Sequence, residues 1–501
     1  MSTLMKNTVT VKIHDEVNAS ILGLHGDHLK YFYNKYALFA ANYFFNPKFK
    51  MGRWDGKIAH FSKAGRTFVY LLEDIIPDLY KFGYNVRLLD ERDVDYIIPP
   101  LIAKDIFSDI LHPDTGKPII LRDYQVEAVN ALIQDGNGVC LAGTGAGKTI
   151  TCAATLKAYT PYDIKSITIV PDQTLINQTK STYDMCNLDV GEYSGKKKDL
   201  NHQHVVSTWQ ALQHSPMLIQ QFQLVIIDEC HGLRGPILKN IICDYASKIP
   251  YRFGFTGTLP KEPIDKLSVH LAVGFVRYEI HAHELIDTGV LAKLNIDCIQ
   301  LVENLRPQYS DYLHECGNKI KPITYNKFKE SYYPDFSAEK SYLQHKKSRL
   351  NWVANKLMAE RDKKGNVLCL VSSIPVARKL ANLIPNAICV NGQDVKEAKN
   401  RQKIYDLFET NNDLIVIATV NIAGTGLSIN RIFTLFMLDI GKSFTRVIQA
   451  VGRSLRTADD KPDVTVIDIC SDLKYGTKHL KERIEFYKEA KYPYKKQSVE
   501  Y

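Results

Sequence analysis

The chain has ten cysteines but no Cys-x-x-Cys spacing, which excludes the common zinc ribbons and dithiol redox motifs. The cysteines are scattered, and Cys140, Cys369 and Cys470 sit inside apolar, strand-like runs. They read as reduced core residues of a cytoplasmic protein, with neither disulfides nor a bound metal expected. No apolar stretch approaches the ~20 residues that a membrane-spanning helix needs. The opening Met1-Ser2-Thr3-Leu4-Met5-Lys6-Asn7 lacks the apolar segment of a secretory signal. No membrane partner is therefore expected. Short repeats and low-complexity tracts are also lacking. What remains is ordinary globular composition: 501 residues, 45% hydrophobic and 24% charged, enough for two to four domains. The net charge of +9 permits a polyanionic partner without establishing one.

Residues 1–97 carry no nucleotide-binding motif. Thr8 to Ile13 alternates like a strand, Asp27 to Tyr43 reads as an aromatic-rich helix, and Phe68 to Leu72 as a strand. Ile75 to Phe82 predicts a short helix and Val86 to Leu89 a further strand. The doublet Pro99-Pro100 marks a boundary. From 98 to 290, apolar runs at Gly138–Leu141, Ser166–Val170, His204–Ser207, Leu224–Ile227 and Arg252–Thr256 alternate with helical patterns. That alternation is the signature of a parallel sheet covered by helices. Residues 291–501 repeat the plan without a second phosphate loop, at Asn366–Val371, Ala387–Val390, Leu414–Ala418, Ile432–Leu438 and Val464–Ile469. Between the two blocks, a Tyr- and Lys-rich stretch near 305–350 reads as an insertion or helical linker.

The most informative segment is Ala142-Gly143-Thr144-Gly145-Ala146-Gly147-Lys148-Thr149, placed between an apolar run and a helical stretch from Cys152 to Tyr159. Strand, glycine-rich loop and helix form the setting in which backbone N–H groups cradle phosphates. Glycines at 143, 145 and 147 allow close approach and positive φ, with Thr144 and Ala146 in the same loop. In this reading Lys148 bridges the β- and γ-phosphates of ATP and the Thr149 hydroxyl holds Mg²⁺. The plain alternative is a glycine-rich turn with a chance lysine. The second segment, Leu224-Val225-Ile226-Ile227-Asp228-Glu229-Cys230-His231, delivers two carboxylates to the C-terminal edge of a buried strand. Asp228 is expected on Mg²⁺ and Glu229 on the attacking water, the alternative being a helix N-cap region.

Asp228-Glu229-Cys230-His231 resembles the DExH box of superfamily 2 helicases and translocases, and the resemblance extends from about residue 120 to 460. Leu121-Arg122-Asp123-Tyr124-Gln125 is similar to the family's adenine-reading motif, with Arg122 and Gln125 as nucleotide-binding candidates; a glutamine amide can both donate and accept at a base edge. Val170-Pro171-Asp172-Gln173-Thr174-Leu175 and Ser207-Thr208-Trp209-Gln210 resemble first-lobe nucleic-acid motifs, with Thr208 as a contact. Thr256-Gly257-Thr258-Leu259-Pro260 resembles the coupling motif, with Gly257 where Ala is usual. Leu370-Val371-Ser372-Ser373, and Ala418-Thr419 through Gly424-Thr425-Gly426-Leu427-Ser428, resemble second-lobe motifs. They imply Thr419 on nucleic acid and Gly424 and Gly426 on nucleotide; Ser428 stands where the family often carries a carboxylate. Gln449-Ala450-Val451-Gly452-Arg453-Ser454-Leu455-Arg456 resembles the last motif. Arg453 and Arg456 would share one face of a helix and, with Gln449, reach the γ-phosphate from the second lobe. The implied fold is α/β: two tandem RecA-like parallel-sheet motor lobes behind a small α+β N-terminal domain. The implied cofactors are ATP and Mg²⁺.

The N-terminal region suggests what the motor moves along. Between 42 and 68 there are six basic residues (Lys48, Lys50, Arg53, Lys57, Lys63 and Arg66) against one acid, Asp55. Cations interleaved with aromatics suit phosphate contacts and base stacking, and Lys48, Lys50, Arg53, Trp54 and Lys57 are the candidate contacts. The alternative is a charged loop whose aromatics pack inward; Trp54 in particular either stacks on an exposed base or fills the core. Lys196-Lys197-Lys198 reads as a solvated loop. A small basic domain ahead of such a motor resembles phage recombination and repair helicases of this superfamily. That resemblance implies DNA in branched or duplex-containing forms as partner, with RNA–DNA hybrids, single-strand-binding proteins and recombination proteins as further candidates, in the host cytoplasm if the chain is phage-encoded. It further implies unwinding of forks, Holliday junctions, D-loops and R-loops in recombination, repair and recombination-dependent replication. An RNA helicase, a duplex translocase without strand separation and a binding scaffold with a dead ATPase are the alternatives. Lys148, Glu229, Arg453 and Arg456 argue against the last.

Overall fold

The computed structural model describes residues 7–113, 115–143, 145–317, 321–390, 407–408, 410–420, 431–441 and 463–501. The chain forms two compact units, one of residues 1–143 and 147–280 and the other of 281–501 together with the loop residues 144–146.

The first unit holds two sheets. The smaller is four-stranded, in the order Arg66–Phe68, Asn18–Leu22, Thr8–Ile13, Asn85–Asp90. Thr8–Ile13 pairs antiparallel with Asn18–Leu22 and parallel with Asn85–Asp90. Helices Gly26–Lys35 and Leu72–Lys81 lie with this sheet around Val9, Val11, Ile21, Phe32, Phe61 and Ile75, all nearly or wholly buried. The expected helix from Asp27 to Tyr43 is shorter than its aromatic content suggests. It stops at Lys35, because Ala37–Phe39 turns away to pair antiparallel with Lys57–Ala59. The expected strand from Phe68 to Leu72 ends at Phe68. Val69–Leu71 is instead a 3₁₀ turn that leads Leu72 into its helix.

The larger sheet of this unit has seven parallel strands in the order Val190–Tyr193, His204–Thr208, Ser166–Val170, Leu224–Asp228, Tyr251–Thr256, Asn137–Ala142, Val276–Ile280. The central strands Ser166–Val170 and Leu224–Asp228 are rich in Val and Ile, as expected for parallel strands buried on both faces. The sequence reading located five of these strands and missed both edges, Val190–Tyr193 and Val276–Ile280.

The two sheets of the first unit share their packing. Val17, from the turn of the small domain, is buried with the core of the large sheet, and Leu271 is buried with the core of the small one. Tyr70 stacks on His270 at 5.3 Å and meets Phe275 at 4.1 Å. The Glu16 N–H donates to the Ser247 carbonyl at 2.9 Å, and the Ile97 N–H donates to the Tyr251 hydroxyl.

The second unit contains another seven-stranded parallel sheet among its described residues: Ile388–Val390, Ile415–Thr419, Val367–Val371, Thr434–Leu438, Asp463–Ser471, Lys293–Leu301, Tyr494–Val499. The sequence reading missed Lys293–Leu301 and Tyr494–Val499. The stretch near 305–350 is helical, with Arg306–Cys316, Tyr325–Ser331 and Phe336–His345 preceding the long helix Lys347–Lys364. Tyr309, Tyr312, Tyr325, Tyr333 and Tyr342 pack against Leu305, Phe328 and Leu343, which explains its tyrosine content. Glu339 ties these helices to the C-terminal one by accepting the N–H groups of Tyr475 (2.9 Å) and Gly476 (2.7 Å), a carboxylate against a helix N-terminus. All ten cysteines are free thiols, and nine are buried.

Candidate nucleotide site and nucleic-acid surface

The strand Asn137–Ala142 runs into the glycine-rich loop, and the helix Lys148–Tyr159 leaves it. Gly145 (φ +90°) and Gly147 (φ +78°) both adopt backbone that other L-residues rarely take. Gly147 is also held by space. A Cβ there would lie 2.6 Å from the Gln125 Nε2 atom, so the glutamine amide abuts the end of the loop. Gln125 is buried, and its Oε1 accepts the Arg122 N–H at 2.9 Å, capping the helix Asp123–Asp135. The Arg122 guanidinium donates to the Tyr124 hydroxyl at 3.2 Å.

The acid pair stands one strand away, past the strand Tyr251–Thr256, at the end of Leu224–Asp228. Glu229 has φ +52° and ψ +49°, a left-handed conformation uncommon for a non-glycine residue and typical of functional sites. This turn drops Cys230 into the core, where it fills the space of an absent side chain. A Cβ on Gly254 would come 2.9 Å from the Cys230 sulfur. The cysteine of the DExH box is thus a packing residue that fixes the strand edge carrying the carboxylates.

Four groups converge on Glu229. The Lys148 ammonium lies 3.9 Å from its Oε1, and the same ammonium donates to the Ala142 carbonyl at 3.4 Å. His231 Nδ1 lies 3.2 Å from Glu229 Oε2, and the Thr256 hydroxyl lies 3.3 Å from that oxygen. His231 Nδ1 and the Thr256 hydroxyl are themselves 3.0 Å apart, and the hydroxyl reaches on to the Thr258 carbonyl at 3.0 Å. The fourth is the Asp228 carboxylate, which accepts the Glu229 N–H at 3.0 Å. Burial pushes Asp228 above the usual carboxylate range, and the neighbouring Glu229 charge adds to the rise. Burial acts on Glu229 in the same direction, but Lys148 and the contact with His231 outweigh it and hold this carboxyl low. Two adjacent acids are therefore driven apart in proton affinity, an arrangement suited to dividing roles between them.

Thr256 and His231 lie within motifs that by themselves assign neither a role. Their spacing along the chain does not reveal that both reach Glu229. Thr256→Val, nearly the same size but without the hydroxyl, is expected to lower ATP turnover on the order of tenfold, as for a lost bond to a charged group. Steady-state hydrolysis with an unchanged melting temperature checks this; unchanged turnover would show the hydroxyl to be a spectator.

A recessed carboxylate pair, a lysine beside it, a hydroxyl at Thr149 and a positive-φ glycine loop make a donor set that fits a magnesium–triphosphate ligand. Thr144, Gly424, Gly426, Gln449, Arg453 and Arg456 lie outside the described residues.

The nucleic-acid candidates divide. Lys48, Lys50 and Arg53 are exposed on the projection that the Ala37–Phe39 and Lys57–Ala59 strands support. Lys57 is half-buried, with its ammonium 5.0 Å from the Phe39 ring centre. Trp54 is also half-buried, and its Nε1 donates to the Lys57 carbonyl at 2.8 Å, clasping the turn. Thr208 is buried at the end of its strand and caps the next helix by accepting the Ala211 N–H. Thr419 ends the strand Ile415–Thr419 and is almost fully buried.

Comparison with known proteins follows the same division. Residues 9–89 match the family "DNA helicase UvsW, N-terminal", residues 118–261 match "Type III restriction enzyme, res subunit", and residues 348–458 match "Helicase conserved C-terminal domain". The chain is 24% identical to the ATP-dependent DNA helicase uvsW of Enterobacteria phage T4, over 92% of this chain and 93% of that protein. It is 27% identical to the DNA 3'-5' translocase XPB2 of Sulfurisphaera tokodaii, over 48% of this chain and 56% of the other. A solved structure of the ATP-dependent Type ISP restriction-modification enzyme LlaBIII bound to DNA shares the fold at a TM-score of 0.54 and 13% identity, covering 83% of this chain and 33% of that one. The two parallel-sheet lobes, the joined loop and acid pair, and these matches together make the chain an ATP-hydrolysing superfamily 2 helicase with a UvsW-type N-terminal domain.

Proposed function

We propose that the chain unwinds and remodels branched DNA at the expense of ATP. Residues 1–97 act as the DNA-binding domain, 98–290 as the nucleotide-binding lobe and 291–501 as the second motor lobe. The observation that carries the motor reading is the set of contacts joining Lys148, Glu229, His231 and Thr256, residues of three separate motifs. Lys148 neutralises phosphate charge. Glu229, held ionised beside Lys148, orients and polarises the attacking water and takes its proton. Thr149 and Asp228 would hold Mg²⁺, which offsets charge on the phosphates. Arg453 and Arg456, with Gln449, are the catalytic residues proposed to spread the developing charge. Gln125 and Arg122 are proposed to read the adenine, and Gly424 and Gly426 are further proposed nucleotide-binding residues.

DNA as substrate is supported by the DNA helicase and translocase activities for which the relatives are named and by the exposed cations of the N-terminal domain. Forks, Holliday junctions, D-loops and R-loops are the forms proposed, with roles in recombination, repair and recombination-dependent replication. RNA–DNA hybrids, single-strand-binding proteins and recombination proteins are further proposed partners, and the host cytoplasm the proposed setting. Among the described residues, no helix is long and apolar enough to cross a membrane.

The test is ATPase stimulation measured side by side with single-stranded DNA, duplex, forked DNA and RNA. Forked DNA is expected to stimulate most. Stimulation by RNA alone would overturn the DNA reading. A companion variant changes Lys48, Lys50, Arg53 and Lys57 to Glu. Phosphate contacts carry no sequence information, so affinity should fall on every sequence alike. The salt dependence should flatten by about 0.9 in slope per lost phosphate contact. An unaltered slope and affinity would remove these residues from the interface.

A further inference from the structure

The projection from the N-terminal domain exposes several aromatic rings. It is built around Tyr43, with the half-exposed Phe39 beside it. Tyr43 stacks on Phe39 (4.6 Å, 26°) and meets Phe49 edge-on (4.8 Å, 86°). Gly56 lets Tyr43 settle onto the backbone, since a Cβ there would lie 2.6 Å from the tyrosine ring. The ends are fastened separately. Asn46 accepts the Lys48 N–H at 2.9 Å, and Trp54 clasps Lys57.

Phe44 meets the Tyr43 ring edge-on at 5.7 Å, and Phe45 packs on Phe44. Asn42 turns the chain in left-handed backbone (φ +55°), and the two rings follow it into solvent, 50% and 66% exposed. Their centroids are 4.5 Å apart, and Met51 stands on the same projection at 64% exposure. Large apolar side chains grouped in water mark a binding surface. Around them the segment 42–68 carries six cations and one acid, a charge balance that favours a polyanion over a protein of mixed charge.

We propose that Phe44 and Phe45 form a base-stacking wedge, set where a DNA duplex divides into single strands. This rests on the DNA reading above and deepens it by naming the element that parts the strands. An unpaired base offers a planar face to the rings, and its flanking phosphates lie within reach of Lys48, Lys50 and Arg53. Apolar side chains pushed between base steps are an established way to unstack them. The wedge has a firm footing. The strand Ala37–Phe39 lies against the helix Pro263–Val273 of the nucleotide-binding lobe, and the small and large cores of that unit interlock at Val17 and Leu271. Force generated on DNA by the motor would therefore be delivered against a fixed obstacle.

The experiment uses the full chain with Phe44→Ala and Phe45→Ala combined, and a forked duplex bearing 2-aminopurine at its first base pair. Wild type is expected to change the 2-aminopurine emission on binding. The double variant should lose that change and unwind the fork at least ~10-fold more slowly, in line with the loss of stacking. ATP hydrolysis without DNA and the melting temperature should stay as in wild type. Phe44→Tyr with Phe45→Tyr, which keeps both rings, should restore both signals. A double variant that unwinds within twofold of wild type, with the emission change intact, overturns the wedge and leaves the rings to a protein partner. A wild-type chain that responds to no DNA overturns the parent reading as well, so the two failures are distinct.

Discussion

Lys148→Ala is expected to lower ATP turnover by roughly 10³-fold or more while leaving DNA affinity largely intact. The ammonium does two things that no neighbour can replace. It supplies positive charge at the end of the phosphate loop, and it lies 3.9 Å from Glu229. Burial favours the neutral carboxyl and the Lys148 charge opposes it, so removing the ammonium should raise the Glu229 pKa. The variant would thus lose phosphate neutralisation and part of its ionised base together. The proposed DNA contacts at Lys48, Lys50 and Arg53 lie on a different domain and should not register the change. Coupled-enzyme ATPase and fluorescence-anisotropy binding measure the two halves. Turnover within tenfold of wild type would refute the assignment of the loop.

Glu229→Gln should separate binding from hydrolysis even more cleanly. The amide keeps the side chain's size and can still accept from Thr256, but it cannot take a proton from water. Loss of a general base costs about 10²–10⁴ in rate. ATP should still bind, because the neighbouring Asp228 is relieved of a like charge that now raises its pKa, and remains available to the cation. With hydrolysis stalled, the ATP-bound complex on DNA should dissociate more slowly than that of wild type. Nucleotide titration and DNA dissociation kinetics test both points. A collapse of nucleotide affinity would mean that Glu229 supports the loop rather than the chemistry. That outcome is physically reasonable to test for, since its left-handed backbone positions Cys230 against Gly254.

The sequence made the centre of each parallel sheet legible and left its margins obscure. Ser166–Val170 and Leu224–Asp228 are buried, so Ile167 to Val170 and Leu224 to Ile227 are uninterrupted runs of β-branched and aliphatic side chains, the second ending in the edge carboxylate Asp228. Tyr494–Val499 has the sequence Tyr-Lys-Lys-Gln-Ser-Val because it is an edge strand facing solvent, and nothing in that pattern marks a strand. Val276–Ile280 is another edge, half-covered and mixed in polarity. The aromatics after Asp27 promised a longer helix because periodicity registers burial, not the pairing of Ala37–Phe39 with a strand twenty residues on. In the candidate site, motif spacing located Lys148, Asp228 and Glu229. It could not disclose the turn at Glu229, the reach of Thr256 to it, or the contact of Gln125 with Gly147, since each depends on strand order. Trp54 shows the same limit at the level of one residue. Its composition suited either a base stack or a core, and the structure gives it a third task, closing a turn.

The interlocked cores of the first unit also bear on how such a protein can change over generations. Many motor proteins acquire accessory domains as beads on a flexible tether, and beads can be exchanged. Here Val17 is embedded in the large core, Leu271 in the small one, and Tyr70 lies between His270 and Phe275. A chain that lost the small domain would uncover these apolar surfaces; one that acquired a foreign domain would have to match them. The fold therefore offers no seam for shuffling at this place. Substrate preference in such a lineage would drift through the surface of the projection, where Phe44, Phe45 and the lysines can vary without disturbing either core.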